Sequence, residues 1–366
     1  MNVRRATASF LVIAALAYYP RDIHAQGSLA PPGAPAPTMR TLTEIEPRTP
    51  VSAAPFVIPG SGSYYVTTNL SVSSGDAITI AADGVTLDLN GFTISSTAPA
   101  AEGYAIKLES GVRDITIVNG YIRGRGTNNN SGVYSGGGFS YGIAFAGSSP
   151  RNVIVQEISV SGCANHGIYL GLVVPSSVDS CRVNDVGGFG IVAQLISQSS
   201  AFSGMTAIYG HQVSDCSGSS SLLYGISGIG VMNSFGWSDT ATAIYGILVE
   251  NCFGWNMGGA EGINASVAAR NSRGISNSGI GIIAGSAANC YGTGYGGAYG
   301  IVGGSIQNCQ GIGGLWGIYA DRVMGSYGSG SSVGLRAFVA SSSSGRSTSG
   351  TSLDVTHSAN TFIAPE

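Results

Sequence analysis

Apolar and polar residues alternate over short stretches of this chain. Ile78, Ile80, Val85, Leu87, Leu89, Phe92 and Ile94 take one face; Thr79, Thr86, Asp88 and Thr93 take the other. A period of two predicts strands. The breaks, Ala81-Ala82-Asp83-Gly84 and Asn90-Gly91, are turn formers. Ile115 to Ile122 repeats the plan, and Asn119-Gly120 answers Asn90-Gly91. One unit therefore holds about three short strands joined by corners.

Further along, the unit recurs. Gly followed by Ile or Leu stands at Gly142, Gly167, Gly190, Gly225, Gly246, Gly262, Gly281, Gly300, Gly317 and Gly334. Gly210 continues the series, with His211 where a core Ile would stand. A second column runs half a period out of phase: Cys181, Ser199, Cys216, Ser234, Cys252, Ser272, Cys290, Cys309 and Ser326. Only Cys and Ser occupy it, which marks a crowded place. Two columns sharing an imperfect period of about 18 to 19 residues indicate a solenoid.

Helical repeats need roughly 33 residues or more per unit. Gly, Ser and β-branched residues suit strands and turns better than helices. Leucine-rich repeats would need leucine columns and an Asn ladder, and Leu is scarce. The expected fold is all-β: a single-stranded, right-handed parallel β-helix of about 14 rungs, a rod on the order of 65 Å long.

Residues 1–25 read as a secretory signal, with Arg4 and Arg5 before the apolar run Ala6 to Tyr19. That run is too short to span a bilayer, so no membrane span is expected once the signal is removed. Residues 26–55 are rich in Pro and Ala and read as a semi-rigid linker. The β-helix is expected over 56–350, with 351–366 as a C-terminal tail covering the last rung. The implied location is secreted, extracellular or at the cell surface.

Of 366 residues, 57 are Gly and only 10% are charged. The ordered columns argue against the low complexity that such composition suggests. Net charge is −3 and Lys107 is the only lysine, so nothing favours nucleic acid or an anionic membrane surface. The cysteines are not spaced as a disulfide framework. Cys181, Cys216 and Cys252 stand two rungs apart, roughly 9 to 10 Å between Cα atoms, too far to bridge. Only Cys290 and Cys309 occupy consecutive rungs. As a class the six read as small buried filler, and no His shares their column to suggest a metal.

The run Gly62 to Leu70, then Ile78-Thr79-Ile80 and Gly84 to Ile94, with the preceding Glu46-Pro47-Arg48-Thr49-Pro50, resembles secreted bacterial right-handed parallel β-helix repeat proteins. These share their architecture with pectate lyases and polygalacturonases. The resemblance extends from about Arg40 to Phe338 and implies the fold. It leaves function open among lyases, hydrolases, epimerases, phage tailspikes and non-enzymatic surface proteins.

A lyase of this kind implies acidic residues holding Ca²⁺ and an Arg or Lys base; a hydrolase implies Asp residues on adjacent rungs. Charge is dense only from Glu102 to Asp185, beside the pattern-free stretch Thr127 to Ser140. The enzymatic reading takes Asp114 or Glu157 as acid or ligand and Arg123 or Arg125 as base or clamp. Ca²⁺ enters only if the lyase alternative holds; otherwise no cofactor or metal is expected. Tyr134, Phe139 and Tyr141 are candidate ligand-binding aromatics. None of the lyase or hydrolase signature motifs is present. The favoured reading is a non-catalytic module that binds extracellular polysaccharide or cell-surface glycan, or acts as a structural or adhesive element. The alternative is a polysaccharide lyase or glycoside hydrolase working in a groove near residues 107–185. A tailspike-like trimer lacks coiled-coil heptads, and a monomer is expected.

Overall fold

The computed structural model describes residues 47–128, 134–173, 175–296 and 299–363. The expected signal, most of the expected linker and residues 129–133 of the long insertion lie outside them. The regular elements described are all strands. Among the described residues no helix is long and apolar enough to cross a membrane.

The rung that begins at Ile226 shows the plan. A long strand, Ile226–Met232, runs to a corner at Asn233. A short strand, Phe235–Ser238, follows, and a turn returns the chain to the next long strand, Ile244–Glu250. Each long strand pairs in parallel with its equivalents one rung away: Ile208 with Ile226, Ile226 with Ile244, Ile244 with Ile263. Short strands do the same, Phe235 with Phe253 and Phe253 with Arg273. The result is a parallel β-helix.

The spine of the core is one apolar side chain per rung. Ile106, Ile143, Ile168, Ile191, Ile208, Ile226, Ile244, Ile263, Ile282, Ile301, Ile318 and Leu335 are all fully buried. Each contributes roughly 1.5–3 kcal/mol by leaving water. Two expected members are out of phase. Gly210 aligns with Gly228 and Gly246, two residues past the spine. Ile208 and Ile244 hold the column instead, preceded by Ala207 and Ala243. His211 therefore replaces no core residue, and Ile247 is 41% exposed. Two columns need a small residue, one just before the spine and one just after. A Gly-Ile pair fits either.

The short strand turns a glycine inward. A Cβ on Gly254 would lie 2.1 Å from the carbonyl oxygen of Gly262. The rod is that narrow, which accounts for part of its glycine content.

Each long strand ends on a left-handed residue, on every rung from Asn90 to Asn360; φ is 49° at Asn233 and 53° at Asn251. Asn tolerates this conformation better than most residues. The amide after the corner then bonds a side chain rather than a strand. Cys216 N donates to Ser234 Oγ at 3.2 Å, and Ser234 Oγ donates to Met232 O at 2.6 Å. Cys252 N donates to Ser272 Oγ at 3.1 Å. Cys290 N donates to Cys309 Sγ at 3.3 Å. The Cys/Ser column is thus more than a crowded place. It needs the smallest side chains that carry a γ heteroatom. All six cysteines are buried free thiols, Cys290 and Cys309 included.

The solenoid runs past both expected limits. Thr49–Val51 pairs with Gly62–Val66, and Val51 is fully buried, so the first strand lies in the segment expected to be linker. Thr351–Ala359 pairs along Val333–Ser341. The expected tail is a further rung.

Candidate functional site

The corners stack into a groove that runs parallel to the rod axis. Its volume is about 930 Å³. The floor is the Cys/Ser column from Ser199 to Ser272, and Arg182 stands at one end. One wall is a ladder of side-chain amides. Asn233 Nδ2 donates to Asp215 Oδ1 at 3.2 Å, Asn251 Nδ2 to Asn233 Oδ1 at 3.1 Å, and Asn289 Nδ2 to Asn271 Oδ1 at 3.1 Å. Asn233 uses one donor and one acceptor in the ladder, Asn251 uses a donor and Asn271 an acceptor, so these amides keep N–H groups and lone pairs for a ligand.

The other wall comes from the short strands. Phe235 and Phe253 sit on consecutive rungs, 5.4 Å apart and tilted by 58°. On the same outward face of these strands, just outside the groove lining, Trp237 and Trp255 lie 5.0 Å apart at 45°. The tilt keeps like rings on consecutive rungs from covering one another face to face, while Phe253 and Trp255 on one strand lie nearly parallel, 6.4 Å apart at 22°. Trp237 Nε1 donates to Asp239 at 3.0 Å. Trp255 Nε1 is buried without a partner among the described residues. Farther along, the Arg273 guanidinium lies over Phe253 at 5.4 Å and over Tyr291 at 5.2 Å. The rings fix its position and leave its N–H edge available.

The floor supplies no nucleophile. Burial pushes the Cys216 and Cys252 thiols up to about 11, and each donates to a strand carbonyl, Ser214 O and Glu250 O, at 3.1 Å. Such thiols stay protonated and inert. The groove can hold and orient a ligand through stacking, amides and the guanidinium groups of Arg182 and Arg273.

The residues expected from sequence to form a site do not lie together. Asp114 is exposed on one corner (φ 58°), where its carboxylate accepts from Asn152 Nδ2 at 2.6 Å. Glu157 is exposed on another corner (φ 53°), between Asn119 and Ser180 in the left-handed column. It borders a hollow of about 490 Å³ with Tyr121 and Arg182. Arg123 is exposed at the end of its strand, and Arg125 donates to Thr97 O at 3.2 Å. Tyr134 donates to Gly162 O at 2.7 Å, and burial pushes its phenol well up. Phe139 is fully buried; its ring packs in the core and meets no ligand. Tyr141 stacks on Tyr104, centroids 4.7 Å apart and planes 14° apart. Those rings cover one another's faces. Lys107, expected nearby, pairs with Glu109 at 2.9 Å and Asp76 at 3.6 Å.

The groove had sequence signals that charge density does not reveal. Phe-Gly-Trp occurs at Phe235 and again at Phe253, and Asn precedes the Cys/Ser column at Asn233, Asn251, Asn271, Asn289 and Asn308. Among the described residues, no three His, Cys, Asp or Glu converge as a metal site would require.

No family model matches this sequence, and no curated protein matches it. Solved structures with a similar winding include the A-module of mannuronan C-5 epimerase AlgE6 from Azotobacter vinelandii. It is 11% identical over 84% of this chain and 91% of that chain, with a TM-score of 0.39. The AlgE4 A-module from the same organism is 12% identical over 84% and 89%, with a TM-score of 0.35. The enzymatically active domain of bacteriophage CBA120 tailspike protein 2 is 14% identical over 81% and 47%, with a TM-score of 0.32. Likeness at this level carries no argument about what the groove does.

Proposed function

We propose that this chain is a secreted or cell-surface polysaccharide-binding β-helix that holds an extended glycan along its corner groove without altering it. The observation that carries this reading is the pair Phe235 and Phe253 across the groove from the asparagine ladder, a ring face that Trp237 and Trp255 extend outward along the short strands. Sugar rings present apolar C–H faces to aromatic rings and hydroxyls to amides. Both wall types repeat at the rung spacing, which suits a polymer better than a single small molecule. Tryptophan fluorescence tests it, with cellohexaose, chitohexaose and polygalacturonate as probes. Saturable quenching by at least one probe, weakened about tenfold in Phe253→Ala, is expected. Chromatography of the same mixtures should recover the probe uncut. Unsaturated or shortened products would favour the lyase or hydrolase alternative, and no quenching by any probe would sink the reading.

A further inference from the structure

A second surface lies on the outward side of the long strands, away from the groove. Ile229, Ile247, Leu248 and Val267 are 43, 41, 49 and 54% exposed. They form an uncharged aliphatic ridge across three consecutive rungs. The next two rungs put Gly285 and Gly304 in line with Val267. These glycines floor a hollow of about 420 Å³, rimmed by Asp321 and Phe338. A ridge and a shelf thus adjoin on one face. Toward the corner, Glu250 aligns with Arg270 on the next rung. Neither forms an ion pair among the described residues.

We infer that two copies of this chain pack side by side and antiparallel through this face. Consider a two-fold axis in the interface, along the strands and midway between the rungs of Ile244 and Ile263. It sets Ile247 against the partner's Val267 and Ile229 onto the partner's Gly285. It also sets Glu250 opposite the partner's Arg270. In an isologous contact each of these pairings occurs twice. The same face therefore supplies ridge and shelf, carboxylate and guanidinium.

Size agrees with a second copy as the occupant. The four aliphatic side chains with Tyr209 and Tyr245 are each between 37 and 54% exposed. Together they offer several hundred Å² of apolar surface, and the polar rim brings the face toward the roughly 800 Å² per partner of a stable dimer. Charge agrees as well. The chain is net negative, but the ridge is uncharged, Glu250 and Arg270 meet their opposites, and the hollow carries Asp321 and Arg322 as one charge of each sign.

Sedimentation equilibrium of the full chain tests this. A dimer is expected, with a Kd below about 10 µM. Ile247→Lys should raise that Kd at least about tenfold while leaving far-UV circular dichroism unchanged, with the thermal midpoint falling only as far as loss of the dimer requires. Glu250→Arg and Arg270→Glu should each weaken association, and combining them should restore it, because the pairing is then reversed rather than removed. A monomer up to about 100 µM, as the sequence led us to expect, would overturn the inference. So would a dimer indifferent to Ile247→Lys and to both charge reversals, or a monomer that co-sediments with lipid vesicles through this ridge. Failure of the double reversal to restore the dimer would overturn the antiparallel arrangement. Glycan binding lies on a different face, so its loss or survival leaves the result unaffected.

Discussion

Two stretches of the rod solve the same packing problem differently. The rungs from Glu102 to Asp185 carry the denser charge and the longest corner insertion. Several of their polar groups are occupied within the protein: Lys107 by Glu109 and Asp76, Asp114 by Asn152, Arg125 by Thr97. Their rings are stacked shut, as in Tyr104 and Tyr141 at 14°. The rungs from Ile226 to Ile282 carry sparser charge, Asp239, Glu250, Glu261, Arg270 and Arg273, and are close to regular. There Phe235 and Phe253, and Trp237 and Trp255, are tilted at 58° and 45° from rung to rung, though Phe253 and Trp255 lie at 22°. Among the described residues the side chain of Arg273 meets only rings. Density of charge thus marks local bookkeeping of polar groups in this fold, and the open chemistry sits where charge is sparse.

The sharpest way to break that comparison is at the narrow waist of the regular rungs. Gly254→Ala places a methyl against the Gly262 carbonyl, and a loss of about 3 kcal/mol is expected in urea unfolding. Gly91→Ala, where nothing lies within 4 Å of the added methyl, should cost only the left-handed strain of about 1–2 kcal/mol. Equal losses at the two glycines would mean that the waist is not tight.

Next in size is the corner. Ser272→Ala leaves the buried Cys252 amide without its acceptor, a cost of about 1–3 kcal/mol. Ser272→Cys should recover part of it, since Cys309 serves the same role for Cys290. A silent Ser272→Ala would reduce the column to mere filler.

The smallest effect concerns acid. Burial holds His166 below its ordinary pKa, and its Nδ1 accepts from Phe189 N at 3.0 Å. The unfolded chain then takes up this proton at a higher pH than the folded one. Stability is therefore fully present above the ordinary value near 6.5 and declines as the pH falls below it. Thermal midpoints across that range should slope downward toward acid, and the slope should flatten in His166→Gln.

Much of the fold was legible because its demands repeat. A spine residue and a γ heteroatom are required on every rung, so Ile226, Ile263 and Ile282, or Cys252 and Ser272, announce the winding. The phase slipped at Gly210 and Gly246 because the bend after the spine also wants a small residue. The groove was less legible. Asn251 and Phe253 each look ordinary alone; they form the groove's two walls only when a left-handed corner and a short strand place them on either side of Cys252. Whether Tyr141 stacks shut while Phe253 tilts open is set by neighbouring rungs, which local sequence does not encode.

The central claim is that ligand contact belongs to the open rings and not to the charged rungs. Comparing Trp255→Ala with a Tyr141→Ala, Asp114→Asn double variant, both titrated with the probe that the unaltered chain binds best, tests it most directly. Trp255→Ala should lose about tenfold in affinity, and the double variant should bind as the unaltered chain does. The reverse pattern, with Trp255→Ala silent and the double variant impaired, would contradict the claim.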